Sequence, residues 1–149
     1  SLSEKNPVIA TGTTSIRTLE SLYLLGAKLI LKETENLSNF EIEQWFPYKK
    51  RNECSALEAF EAILNNMEKN KINSLYGKTS IIIVPGYEFK ICSGLITNFH
   101  LPGTTLILLV AAFLGDDLWR KSYESALDNN YRFLSYGDAT LCLALGEKK

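Results

Sequence analysis

Leu95-Ile96-Thr97-Asn98-Phe99-His100-Leu101-Pro102-Gly103-Thr104-Thr105-Leu106 joins two apolar runs through a short polar break. Apolar residues lead into it, Thr97, Asn98 and His100 interrupt them, and a nearly all-apolar segment leaves it. Pro102 biases Leu101 toward extended backbone, Gly103 permits a sharp turn, and Thr104 or Thr105 is placed to cap a following helix. The expected order is strand, turn, helix. In an open α/β sheet such a junction lies at the carboxyl end of a strand, where ligands bind, and the only histidine of the chain stands there.

Upstream of this stretch, Thr79 to Val84 reads as a strand covered on both faces, because Ile81-Ile82-Ile83-Val84 is continuous and β-branched. Pro85-Gly86 breaks it and delivers Tyr87, either a packed aromatic with a satisfied hydroxyl or a ring on which a ligand stacks. Glu88-Phe89-Lys90-Ile91 alternates and, with Leu95-Ile96-Thr97, predicts adjacent strands. Downstream, Thr105 to Leu114 is apolar nearly all round and must be covered on several sides. Gly115 ends that helix. Asp116 or Asp117 is expected to cap another, with Trp119, Tyr123, Ala126 and Leu127 as its apolar stripe. Tyr131-Arg132-Phe133-Leu134-Ser135-Tyr136-Gly137-Asp138 mixes aromatic and polar groups, and Ala139 to Leu145 predicts a closing strand. Arg132 and Asp138 are either a structural ion pair or site groups.

The amino-terminal half opens on a short strand, Val8-Ile9-Ala10, then Thr11-Gly12-Thr13-Thr14-Ser15 and a helix with Ile16, Leu19, Leu22 and Tyr23 on one side. Gly26 is expected to close this helix and Ala27 to Lys32 to form a second strand. Thr13, Thr14 and Ser15 stand where first-turn amides are unpaired. They either cap the helix or, with its dipole, receive an anion or a polar ribose or carboxylate group. No Gly-Lys-Ser/Thr ending of a phosphate loop is present. Glu33 to Asn39 reads as a loop, and Phe40 to Phe46 as an exposed or edge strand stopped by Pro47. Tyr48-Lys49-Lys50-Arg51 is either a solvated loop or a contact for a phosphate backbone. Ser55 with Glu58 forms a capping box, followed by a helix with Leu57, Phe60, Ile63, Leu64 and Met67 as its stripe. The order of elements predicts an α/β class, a mixed β-sheet flanked by helices.

With 149 residues, 46% hydrophobic and 22% charged at a net charge of −1, the chain has the composition of one globular domain, not of a disordered tail or a basic nucleic-acid coat. Residues 1–149 are expected to form one α/β domain, with 1–7 a linker leading into it. Cys54, Cys92 and Cys142 are odd in number and far apart, with no paired spacing that would suggest zinc or a disulfide framework, and a reducing, cytoplasmic setting fits best. The longest apolar run, Leu106 to Leu114, is well short of the ~20 residues of a membrane span, and no signal peptide is seen. No His/Cys cluster for a metal is present, and Ser15 lacks a nucleophile elbow. His100 is the strongest candidate for proton transfer, since imidazole titrates near neutral pH without help; the competing reading is a hydrogen-bonded structural histidine.

Four segments in order carry a resemblance: Thr11 to Ser21, Pro85 to Lys90, Leu95 to Pro102, and Tyr131 to Ala139. The chain resembles the carboxyl-terminal portion of the S-adenosylmethionine:tRNA ribosyltransferase-isomerase family of queuosine biosynthesis, with residues 29–77 unmatched. The resemblance implies a fragment of a larger two-domain enzyme. Such an enzyme uses S-adenosylmethionine as ribosyl donor, with no prosthetic group, and moves the rearranged ribose onto 7-aminomethyl-7-deazaguanine in tRNA to give epoxyqueuosine. The partners so implied are tRNA, S-adenosylmethionine and the amino-terminal part of the same polypeptide. It further implies that His100 would shuttle a proton and that Thr97 and Asn98 would hold ribose or base edges. Thr13, Thr14 and Ser15 would receive the methionine carboxylate or ribose hydroxyls, and Arg17 would reach a carboxylate or phosphate. Tyr87 and Tyr136 would stack on a base, and Asp138 would line the site. Members of the family often carry a basic residue after His-Leu-Pro, where this chain has Gly103. The alternative is a non-catalytic nucleoside- or RNA-binding module.

Overall fold

The computed structural model describes residues 7–34, 37–49 and 54–143. Strand β1 (Ile9–Thr11) feeds helix α1 (Thr13–Ile30) through Gly12, whose φ of 89° is open to glycine. Strand β2 (Phe40–Ile42) is followed by one 3-10 turn (Phe46–Tyr48), helix α2 (Ala56–Asn70) and strand β3 (Gly77–Thr79). Strand β4 (Gly94–Asn98), helices α3 (Thr105–Leu114) and α4 (Asp116–Asp128), and strand β5 (Ala139–Leu143) complete the order.

The strands make two small sheets. In the first, ordered β1-β4-β5, β1 runs parallel and β5 antiparallel to the central strand β4. Leu95, at the middle of β4, is fully buried. In the second, β2 pairs with β3 in parallel. Helix α1 contacts both sheets, and its buried side chains Ile16, Tyr23, Leu24 and Leu25 join one core with Ile42, Phe46, Ile81, Ile83, Leu95 and Val110. The α/β class with a mixed sheet flanked by helices is the observed architecture.

Several local expectations give way to tertiary contacts. Gly26 does not end the first helix, and Ala27 to Lys32 is no strand, for α1 continues to Ile30. A Cβ on Gly26 would collide with the Ala59 backbone of α2, so this glycine admits a close helix crossing. Of the expected strand Thr79 to Val84 only Thr79 falls within β3, and Ile81 to Val84 runs on outside any strand. Ser80 N–H donates to Ile42 O and Ile82 N–H to Gln44 O before β2's chain turns into the 3-10 helix. The Tyr48 hydroxyl then accepts from Val84 N–H and donates to Ile82 O. Burial alternates along the run instead of covering both faces: Ile81 and Ile83 are buried, Ile82 and Val84 half-buried.

Glu88 to Ile91 is likewise not a strand, because a side chain has taken its amides, as described below. The Ser55–Glu58 capping box is present, with Glu58 N–H to Ser55 Oγ at 3.2 Å and Ser55 N–H to Glu58 Oε2 at 2.7 Å. The stripe of α2 is rotated from the expected one: Ala59 and Ile63 are buried, whereas Leu57 and Leu64 are exposed. Leu127 is exposed on α4, where Tyr123 and Ala126 are buried. Neither Thr104 nor Thr105 caps α3 through its side chain, and the N-cap of α4 is Gly115 with Asp116 and Asp117 in its first turn. Residues 1–6 of the expected linker, 35–36 of the loop, Lys50 and Arg51 of the basic run, and residues 144–145 of the last strand lie outside the described residues.

Candidate functional site

The carboxyl ends of the parallel strands β1 and β4 lie side by side, so the turns that leave them share one end of the sheet. Gly12 N–H donates to Ile96 O at 2.8 Å, which sets the start of α1 beside Thr97 and Asn98. Thr13 is half-buried and Thr14 and Ser15 are exposed. They do not cap the helix: its N-cap is Gly12, without a side-chain cap bond, so the capping reading fails and the first-turn amides keep no side-chain acceptor. Gly12 lacks the side-chain oxygen that such a cap requires.

Thr97 is buried, and its Oγ1 lies 3.0 Å from His100 Nε2. His100 N–H donates to the Tyr123 hydroxyl at 3.1 Å, which ties this turn to α4. Half-burial lowers the imidazole pKa from its ordinary value near 6.5, because an imidazolium is less well solvated there. The ring is therefore neutral at neutral pH, a form able to accept a proton. Asn98 turns its Nδ2 to the carbonyls of Gly137 and Asp138 at 3.2 and 3.4 Å, so the loop ahead of β5 is fixed at this same end.

That loop is closed by Asp138. Its carboxylate accepts from Arg132 N–H at 2.7 Å and pairs with the Arg132 guanidinium at 3.5 Å, while Asp138 N–H donates to Arg132 O at 2.7 Å. The Arg132 backbone amide, foremost, holds the Asp138 carboxyl below its usual value. Arg132 and Asp138 thus form the structural pair, and Tyr136 projects from the closed loop as a residue 98% exposed.

Tyr87 stands apart from this group. Its ring packs edge-on against Phe89 at 5.0 Å and Tyr48 at 6.3 Å, and its hydroxyl donates to Glu20 Oε2 at 2.9 Å. Burial, then the Glu20 charge, drives the phenol pKa far up, so it stays a donor. Of its two readings, the structure displays the packed aromatic.

Glu20, which the sequence reading passed over, organises the approach to β4. It is fully buried, and besides Tyr87 it accepts the backbone N–H groups of Lys90, Ile91 and Cys92, each at 3.0 Å. The available signal was its place four residues after Ile16 and three before Tyr23, inside the apolar stripe of α1. Arg17, one turn earlier, lines a cavity of about 90 Å³ with Gln44, Ser80 and the first turn of α3. A larger hollow of about 500 Å³, between the far ends of α1 and α2, touches none of the expected site residues. Among the described residues no three His, Cys, Asp or Glu gather to hold a metal, and no helix is long and apolar enough to cross a membrane.

A sequence model described as queuosine biosynthesis protein matches residues 2–142. The chain belongs to the queuosine biosynthesis protein family. Among its relatives is the S-adenosylmethionine:tRNA ribosyltransferase-isomerase of Halothermothrix orenii, 52% identical over 77 residues, which are 52% of this chain and 23% of that protein. The enzyme of the same name from Legionella pneumophila strain Corby is 39% identical over 138 residues, 93% of this chain and 28% of that protein. A crystal structure of S-adenosylmethionine tRNA ribosyltransferase from Thermotoga maritima superposes with a TM-score of 0.56 at 31% identity, covering 94% of this chain and 34% of that one. The chain thus spans about a quarter of the length of these curated relatives. In this member of the family, the turns at Gly12 and Pro102 and the loop 131–138 meet at one end of the three-stranded sheet.

Proposed function

We propose that this chain supplies part of the active site of an S-adenosylmethionine:tRNA ribosyltransferase-isomerase. Such an enzyme transfers and isomerises the ribosyl group of S-adenosylmethionine onto 7-aminomethyl-7-deazaguanine in tRNA, giving epoxyqueuosine. The observation that carries the reading is the meeting of Thr13–Ser15, Thr97, Asn98 and His100 at the carboxyl ends of β1 and β4, in a chain of this family. The chemistry asks for removal of an acidic proton beside the sulfonium, departure of adenine, and a surface for an unstacked base.

Neutral His100, oriented by the Thr97 hydroxyl, is the group for proton transfer. Thr13, Thr14 and Ser15 receive polar groups of the donor, and Arg17 an acidic one. Thr97 and Asn98 hold ribose or base edges. Exposed Tyr136 offers a stacking face, with Asp138 keeping its loop closed. Tyr87 serves the site by packing. The reading needs no prosthetic group. It takes tRNA, S-adenosylmethionine and the remainder of the polypeptide as partners, in the cytoplasm.

The test is incubation of the intact polypeptide with S-adenosylmethionine and precursor tRNA, with adenine measured as it is released. Adenine release dependent on His100 is the expected result. Binding of tRNA without any adenine release would replace this reading by the RNA-binding module.

A further inference from the structure

Arg17 holds the one buried side-chain nitrogen or oxygen, its Nε, that has no hydrogen-bond partner among the described residues. Leaving a buried guanidinium nitrogen without an acceptor is costly. The only carboxylate of α1, Glu20, lies three residues on but cannot serve. Both its oxygens are taken by Tyr87 and by the amides of Lys90, Ile91 and Cys92.

The cavity that Arg17 lines, about 90 Å³, has no acidic residue in its wall. That space is enough for a carboxylate or phosphate group. The first turn of α3 shares this wall through Thr105 and Leu106. Thr104 gives that turn no side-chain cap, and its hydroxyl donates to Leu101 O at 3.0 Å. The amides of Thr105 and Leu106 precede the first backbone bond of the helix, Ile107 N–H to Thr104 O, and carry its partial positive charge. Gln44 completes the wall from the segment that the family motifs leave unmatched.

We infer that this cavity is an oxyanion subsite, in which Arg17, the first turn of α3 and the Gln44 carboxamide take one carboxylate or phosphate group. The identity of the molecule that carries the group rests on the function proposed above. Its two substrates offer one source each, the amino-acid carboxylate of S-adenosylmethionine and a phosphate of tRNA.

The experiment compares the intact polypeptide with its Arg17→Gln, Arg17→Lys and Gln44→Ala variants. For a carboxylate, Arg17→Gln raises KM for S-adenosylmethionine roughly 10- to 100-fold, the range for losing a charge-assisted hydrogen bond. It leaves KM for the decarboxylated donor within about twofold, and Arg17→Lys recovers only part of the loss because a lysine lacks the planar fork. For a phosphate, KM for tRNA rises instead and the salt slope of tRNA binding becomes shallower by about 0.7–0.9. In both cases Gln44→Ala, at an exposed position, moves the same KM in the same direction by a smaller factor. Unchanged KM values for both substrates in folded Arg17→Gln overturn the subsite. Should that variant not fold, unchanged KM values in Gln44→Ala and Arg17→Lys do so. If the wild type releases no adenine, the proposed function fails but the subsite is still decided. Inorganic phosphate or free methionine must then raise the thermal midpoint of the wild type more than that of the variants, and equal shifts overturn it.

Discussion

Buried Glu20 and half-buried His100 show two ways in which one polar side chain shapes this chain. Glu20 does by side chain what a partner strand would do by backbone, drawing three consecutive amides and a phenol onto one carboxylate. Glu20→Ala leaves those donors without an acceptor, at about 1–3 kcal/mol for each that water does not reach. We expect a loss of about 3 kcal/mol or more in urea unfolding, and Glu20→Gln also destabilises by turning an amide donor toward backbone donors. A loss under about 1 kcal/mol for Glu20→Ala would show that water replaces the carboxylate. His100 acts through titration. Its folded pKa lies below 6.5, so its contribution to stability is fully present above that value and is lost as pH falls through it toward the folded pKa. Wild type should therefore lose more stability between pH 7.5 and 5 than His100→Gln does. Parallel pH profiles of the two proteins would remove the burial effect.

At the scale of elements, the crossing of α1 and α2 turns on Gly26. Alanine would improve helix propensity by up to about 1 kcal/mol, yet its Cβ would overlap the backbone of Ala59, which no side-chain rotation relieves. Gly26→Ala is expected to destabilise by about 2 kcal/mol net. Ser55→Ala, which removes the capping box of the same α2, should cost about 1 kcal/mol. A Gly26→Ala midpoint at or above wild type would mean that the helices separate without loss. These two positions also mark what was legible beforehand. The capping box spans three residues and reads directly from Ser55 and Glu58. Gly26 reads locally as a helix stop, and only Ala59, far along the chain, makes it an interior residue. Ile81-Ile82-Ile83-Val84 misled for a related reason. Its β-branched pattern is real, but β2 turns away after Ile42, and Tyr48 and Gln44 take over its hydrogen bonds. The strand, turn and helix around Pro102 were legible because proline and glycine act within a few residues.

For the whole molecule, the question is how segments far apart in sequence are held at one end of a sheet with three short strands. Gly12 answers for α1, and His100 N–H to the Tyr123 hydroxyl answers for α4. For the loop before β5 the answer is Asn98, which reaches across about 40 positions to the Gly137 and Asp138 carbonyls, helped by Leu134 N–H donating to Phe99 O at 2.9 Å. The motifs made this meeting legible as a grouping of residues, but not Asn98's structural part in it, since an asparagine in a turn shows no partner in sequence. Tyr87 went the other way, a motif residue whose contacts are those of the core. Asn98→Ala removes two bonds of moderate length, each worth about 1 kcal/mol, while β4 and β5 keep their ladder. The global unfolding midpoint should fall by about 1–2 kcal/mol. Hydrogen exchange should rise most at the Leu134, Gly137 and Asp138 amides, with α1 and α2 little changed, because the loop is freed without opening the core. If those amides keep wild-type protection, the Arg132–Asp138 closure alone holds the loop.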